Sequence, residues 1–338
     1  MRILITRTDR IGDVMLSTPV IRAIKAKYPD SYLAFCLRPE TAPLIVNDPL
    51  VDEVIEYDKK GKYKKFKGML NFAFEIRRKK FDMAIVLHPT NRMNLTCFLA
   101  GIKKRIGYDH KLGFLLTDRV AHKKQLGLKH ETEYTLDLLR HIGIDPVDKR
   151  LRLYVSDQDI DRAKQLCEEN YIPKGANVIT VHPGASCRSK IWPFHKFAEL
   201  IDRLNEDSSV RVILVGAQSD LQLCNKVNAL VSSRLINLVG QTSIGVLAAI
   251  LKKSKVFVSN DSGPVHMAVA VGTPVVDIFG RKDPGLSPLR WGPRGEKDIV
   301  IHKDAGCKKC LAHNCDKHFK CLDAISVDEV YDAVRSLY

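Results

Sequence analysis

A chain of 338 residues is longer than one hydrophobic core usually organises, so two domains are expected. Its 45% hydrophobic and 28% charged residues exclude a disordered or fibrous chain, and no apolar run reaches the roughly 18–20 residues that a membrane span needs. Lys and Arg outnumber Asp and Glu by 54 to 39, a net charge of +15, and 19 basic against 4 acidic residues lie between Lys59 and Lys129, so one block carries the whole surplus and asks for an anionic partner.

The chain opens on a strand pattern, Arg2–Thr6, without the apolar stretch or small-residue cleavage site of a signal peptide, which implies a cytoplasmic protein. A helix is predicted over Val20–Lys27 and strands over Tyr32–Leu37, Val54–Tyr57 and Met83–Leu87. Lys59–Lys80 holds ten cations and one acid with Tyr63, Phe66, Phe72 and Phe74 interleaved. That pattern suits an amphipathic helix on anionic lipid, a nucleic-acid contact or a solvated basic face; no nucleic-acid-binding module accompanies it. A polar helix pattern, Ser156–Tyr171, then leads into Ile172-Pro173-Lys174-Gly175, a breaker cluster suited to a linker.

The alternation restarts at Val178. Strands are predicted at Val178–His182, Val210–Val215, Leu235–Leu238, Val256–Ser259 and Val275–Phe279, with helices at Phe194–Asn205, Ile244–Lys253 and Val265–Val271. An amphipathic helix, Val327–Leu337, closes the chain. Short apolar strands each followed by a helix specify parallel sheets covered on both faces. The expected architecture is α/β: two doubly wound Rossmann-like domains, 1–171 and 172–338, facing a central cleft. In such sheets ligands bind beyond the carboxyl ends of the strands, so the turns after each strand carry the chemistry.

Three turns stand out. Asp13, after the first strand, either caps the next helix or serves as a general base for a hydroxyl. His182-Pro183-Gly184 through Ser186, Arg188 and Lys190 to Trp192-Pro193 reads as an anion-binding loop or as a solvated basic one, and its spacing excludes a Walker-type phosphate loop. Asp261-Ser262-Gly263-Pro264-Val265-His266 pairs a capping residue with a glycine and a first-turn imidazole, which suits a diphosphate.

Arg10-Ile11-Gly12-Asp13, Arg105-Ile106-Gly107-Tyr108, the His182 to Pro193 loop, Asp261 to His266, and Gly272-Thr273-Pro274-Val275-Val276 with Phe279-Gly280 together resemble glycosyltransferase family 9, the ADP-heptose:lipopolysaccharide heptosyltransferases. The resemblance spans nearly the whole chain and implies the GT-B fold, with an acceptor-binding first domain and a donor-binding second domain. It implies inverting transfer of heptose from ADP-heptose to a lipid-linked inner-core acceptor at the cytoplasmic face of the inner membrane, with no cofactor required for catalysis. Asp13 would be the base and Lys190 would stabilise the leaving diphosphate. Ser186, Thr242, Asp261, Ser262, Gly263 and His266 would bind the donor. A glutamate that many relatives carry after the strand Val210–Val215 is absent, and Gln218 or Asp220 would substitute. Arg92 and Arg105 would hold acidic groups of a lipid A–core acceptor.

Cys307-x2-Cys310-x4-Cys315-x5-Cys321 is a tight array that reads as a four-thiolate structural zinc site, as reduced structural thiols, or as a redox pair. The rival readings of function are a family member using another nucleotide-sugar or a surface-glycan acceptor, a nucleotide-sugar epimerase, and a non-catalytic basic protein that binds membrane or nucleic acid. A scaffold of the last kind needs neither Asp13 nor the donor loop.

Overall fold

The computed structural model describes residues 1–338 and contains two compact α/β units. In the first, the apolar run Ile3-Leu4-Ile5 makes β1 (Arg2–Thr6) a strand buried on both faces. Next come α1 (Ile11–Met15), α2 (Pro19–Lys27), β2 (Tyr32–Leu37), β3 (Glu53–Glu56), α3 (Phe66–Arg78) and β4 (Met83–Val86). The unit is completed by α4 (Asn91–Leu99), β5 (Lys104–Asp109), β6 (Asp118–Ala121) and α5 (Glu131–Arg140). The six strands are all parallel, in the order β3-β2-β1-β4-β5-β6. In α3 the buried Met69, Phe72 and Ile76 face the core, where Phe72 packs 4.6 Å from the Tyr57 ring, and Phe66 and Phe74 stay exposed among Lys67, Arg77 and Arg78.

The second unit begins with α6 (Asp157–Glu169), β7 (Asn177–His182), α7 (Phe194–Asn205), β8 (Val210–Leu214), α8 (Leu221–Leu230) and β9 (Ile236–Asn237). It continues through α9 (Ile244–Lys253), β10 (Val256–Asn260), α10 (Gly263–Val271), β11 (Val275–Phe279) and α11 (Pro288–Trp291). β12 (Ile299–His302), α12 (Lys320–Asp323) and α13 (Val327–Arg335) end it. Its sheet is also wholly parallel, in the order β12-β11-β10-β7-β8-β9. Fully buried Trp192 donates its indole N–H to the Ile325 carbonyl at 3.1 Å, and Val330 and Val334 seat α13 on the same core.

Counted within its own unit, each sheet runs third, second, first, fourth, fifth, sixth strand, the doubly wound order. The order reverses between β1 and β4 in one unit and between β7 and β10 in the other, and those two points are where such sheets bind ligands.

The division of the chain differs from the expected one. The units are 1–124 with 129–154, and 125–128 with 155–338. Helix α6, expected to close the first domain, belongs to the second, where Ala163, Leu166 and Cys167 are buried and the Asp159 carboxylate lies against Gly245 of α9. The charged cations of the basic block all lie in the first unit. No helix is long and apolar enough to cross a membrane.

Candidate functional site

Each unit carries a polar cluster at its own switch point. In the first, the chain leaves β1 into Arg7, which is 1% exposed yet charged. Such a group is tolerated only when partnered. Arg7 donates to Asp9 Oδ1 at 2.9 Å, to Asp13 Oδ1 at 2.6 Å and to Glu131 Oε1 at 3.2 Å. Asp9 also meets His88 Nδ1 at 3.0 Å, beyond the end of β4, and Glu131 accepts from Lys124 Nζ at 2.7 Å. Burial opposes the charge on Arg7, but its three carboxylates hold the pKa above the ordinary arginine value.

Asp13 sits in the first turn of α1, and Arg7 rather than a helix N–H holds its carboxylate, so the capping alternative is not what forms. Burial, then the negative charges of Asp9 and Glu131, push Asp13 above the ordinary carboxylate range against the pull of Arg7. Asp9 goes the other way, because Arg7 and His88 outweigh its burial. Two neighbouring carboxylates thus differ in how readily they ionise, Asp9 more easily and Asp13 less easily than an ordinary aspartate.

In the second unit, Lys190 and Asp261 come together as expected. Lys190 Nζ donates to Asp261 Oδ1 at 3.0 Å, and Arg281, on the turn after β11, donates to Asp261 Oδ2 at 2.6 Å. Ser262 is the N-cap of α10 and makes no side-chain cap bond; its hydroxyl contacts Ser259 Oγ at 2.9 Å and His182 Nδ1 at 3.3 Å. Gly263 opens α10, and His266 is buried in its first turn. His182 Nε2 lies 3.6 Å from Asp220 Oδ2, and that carboxylate also accepts from the Ala217 N–H at 2.9 Å. Burial opposes the Asp220 charge, but His182 and that amide hold it below the ordinary value. Gly184 is required here, since a Cβ would fall 2.7 Å from His182 Nε2 and from the Asp220 carboxyl carbon. Asn260 ties the loops by accepting from Trp192 N at 3.0 Å and donating to the Pro183 carbonyl at 2.6 Å.

The other expected donor residues take distinct places. Ser186 is exposed on the loop after β7. Gln218 is exposed, its side chain lying over Gly240, and Thr242 is half-buried ahead of α9. Asp220, turned inward onto His182, fits a structural role better than direct donor contact. Beneath the loop, Asp277 is buried with no hydrogen-bond partner for either carboxylate oxygen, and burial with the nearby Asp261 charge raises it well above the carboxylate range.

One expectation needs correction. Arg105 lies toward the amino end of β5, where its guanidinium donates to the Leu115 carbonyl at 2.7 Å and to the Ile102 carbonyl, so it ties a loop together away from the ligand edge. Arg92, by contrast, stands in the first turn of α4 after β4 and donates to the Lys64 carbonyl. The four clustered cysteines are free, half-buried thiols lining one pocket with Ser189, Arg281 and Lys282. No three His, Cys, Asp or Glu side chains form an ion-holding group in this arrangement.

Arg7, Asp9, His88, Lys124, Glu131 and Arg281 escaped the sequence reading. The one available signal was an arginine just beyond the apolar run Ile3–Ile5.

The sequence profile of glycosyltransferase family 9 (heptosyltransferase) matches residues 69–320. The chain belongs to this family. This family 9 glycosyltransferase is similar to lipopolysaccharide heptosyltransferase 3 of Escherichia coli K12, with 25% identity over 96% of this chain and 95% of the relative. Among solved structures, a glycosyl transferase family 9 protein of Veillonella parvula superposes with a TM-score of 0.90 at 23% identity, covering 99% and 96% of the two chains. The E. coli ADP-heptose lipopolysaccharide heptosyltransferase II superposes with a TM-score of 0.81 at 25% identity, covering 100% and 98%. The chain is therefore a glycosyltransferase of the GT-B class, with two Rossmann-like units.

Proposed function

We propose that this enzyme transfers heptose from ADP-heptose to the inner core of a lipid-linked lipopolysaccharide acceptor, with inversion at the anomeric carbon. The first unit would bind the acceptor and the second the nucleotide-sugar. The observation that carries this reading is Asp13: a carboxylate at the switch point, poised above its ordinary pKa by burial and two neighbouring charges, and oriented by Arg7. A base with a raised pKa takes a hydroxyl proton more readily than an ordinary aspartate does.

In the reaction so read, the acceptor hydroxyl gives its proton to Asp13 as its oxygen bonds to the anomeric carbon. The bond from that carbon to the diphosphate oxygen breaks, and the electron pair leaves with ADP. Lys190 and the N–H groups at the start of α10 meet the departing charge, an electrostatic contribution of the oxyanion-hole kind. Arg92, in the first turn of α4 after β4, would hold an acidic group of the acceptor. The exposed Phe66 and Phe74 among the cations of α3 support peripheral contact with an anionic membrane at the cytoplasmic face, where such an acceptor would be presented.

Calorimetric titration with ADP-heptose and then with UDP-sugars tests the donor. Saturable binding of ADP-heptose with much weaker binding of UDP-sugars is expected; preference for a uridine donor would sink the reading.

A further inference from the structure

We propose that Arg281 is a second diphosphate-binding residue of the donor site, acting beside Lys190 and held in place by Asp261. The inference rests on the donor reading above and extends it to a residue on a different strand.

Asp261 spreads a single carboxylate over two cations, with Lys190 3.0 Å from Oδ1 and Arg281 2.6 Å from Oδ2. Loops after β7, β10 and β11 thus deliver two positive charges and one negative charge to the start of α10. All three side chains are mostly buried, with 14%, 7% and 7% exposure for Lys190, Arg281 and Asp261. A buried site with one cation in excess is unfavourable while empty and is relieved when an anion arrives. Asp277 beneath it, buried without a hydrogen-bond partner, is pushed toward its neutral form by burial and by the Asp261 charge.

The guanidinium itself has unused capacity. Arg281 Nε is buried with no hydrogen-bond partner, although another of its nitrogens holds Asp261. Arginine takes a phosphate through two N–H donors in one plane, a geometry that a lysine cannot offer. Arg281 also lines a pocket with Lys282, Lys303 and Lys309 against Asp304 and Asp316, where Asp304 holds Lys282 at 2.7 Å and Glu329 holds Lys303, so cations still outnumber acids in the lining. An anion reaching this guanidinium therefore meets a positive field. Lys190 meets the diphosphate as a point charge in this arrangement, and Arg281 fixes its orientation.

The test is calorimetric titration of the full chain with ADP and with AMP, for the wild type and for Arg281→Gln, Arg281→Lys and Lys190→Gln, with thermal melts to establish folding. Arg281→Gln should weaken ADP binding about 30-fold or more and leave AMP within about threefold, because the contact is to the terminal phosphate. Arg281→Lys keeps the charge without the fork and should lose roughly fivefold for ADP. A folded Arg281→Gln that binds ADP like wild type, or that loses AMP as much as ADP, overturns the proposal. If Arg281→Gln does not fold, the lysine variant decides, and wild-type ADP affinity there also overturns it. Loss of ADP in Lys190→Gln alone would leave the donor reading standing without Arg281. Absence of ADP binding in the wild type would remove both.

Discussion

The two units repeat one strand order and invert one electrostatic design. At the first switch point a buried arginine is surrounded by Asp9, Asp13 and Glu131; at the second a buried aspartate is held by Lys190 and Arg281. Three carboxylates gather around Arg7, with Lys124 on Glu131 and His88 on Asp9, and the Asp13 carboxyl is the one raised above its ordinary range. Excess cation around one carboxylate leaves a site hungry for an anion. The same sheet edge thus suits a base in one half, as proposed for Asp13, and an anion in the other, as proposed for the donor diphosphate. The halves also differ on the outside, since the first unit carries most of the chain's cationic surplus, 30 basic against 18 acidic residues, and the second 24 against 21.

The comparison can be broken most severely at Asp13. Asp13→Asn should lower turnover by about 100-fold or more and leave ADP affinity within about twofold, because the base belongs to one cluster and the nucleotide to the other. Steady-state kinetics beside calorimetry decides this, and near-normal turnover removes the assigned base. Replacing Lys64, Lys65 and Lys67 together by Gln removes three surface cations at ~1 kcal/mol each, so flotation with phosphatidylglycerol vesicles should show binding roughly 100-fold weaker at low salt. Turnover on a soluble acceptor should stay unchanged; equal vesicle binding by the variant would assign the block to another partner.

Lys190→Gln should weaken ADP by about 30-fold with little effect on the acidic limb of the pH–rate profile. Asp9→Asn sharpens the contrast by titration. The Asp9 charge helps to raise Asp13, so its removal lets Asp13 ionise more easily, and the acidic limb of kcat/KM should move to lower pH. A limb that moves to higher pH would mean that Asp9 acts on Asp13 chiefly by holding Arg7.

Much of this was legible from residues alone, and the gaps have physical causes. Strands β1, β2 and β11 were read to the residue because their apolar runs end in charge or Gly-Pro punctuation. Strands β5, β6 and β12 were missed: Lys104-Arg105-Ile106-Gly107-Tyr108-Asp109 and Asp118–Ala121 carry charges at their ends, and Ile299–His302 lies at an edge with only half-buried residues. Asp13, Lys190 and Asp261 sit in turns whose glycines and position announce a ligand edge. Their partners announce nothing locally, because Glu131 is 124 residues from Arg7 and Arg281 is 20 from Asp261. A buried ion pair is a fact of topology, so one partner is visible and the other waits for the fold. The family resemblance likewise suggested Arg105 as an acceptor contact, but the motif arginine proves to hold its own loop.

The orphaned carboxyl of Asp277 has a thermodynamic consequence. A carboxyl that keeps its proton when folded and releases it near pH 4 when unfolded makes folding a proton-uptake reaction. Its contribution is neutral at low pH, where both states are protonated. It then erodes stability as pH rises from the unfolded value toward the folded one, at up to about 1.4 kcal/mol per pH unit. Asp277→Asn keeps the shape and deletes the proton, so melts compared at pH 5 and pH 8 should show the variant gaining on the wild type at the higher pH. The second unit would then lose stability as the pH rises above the ordinary carboxyl range.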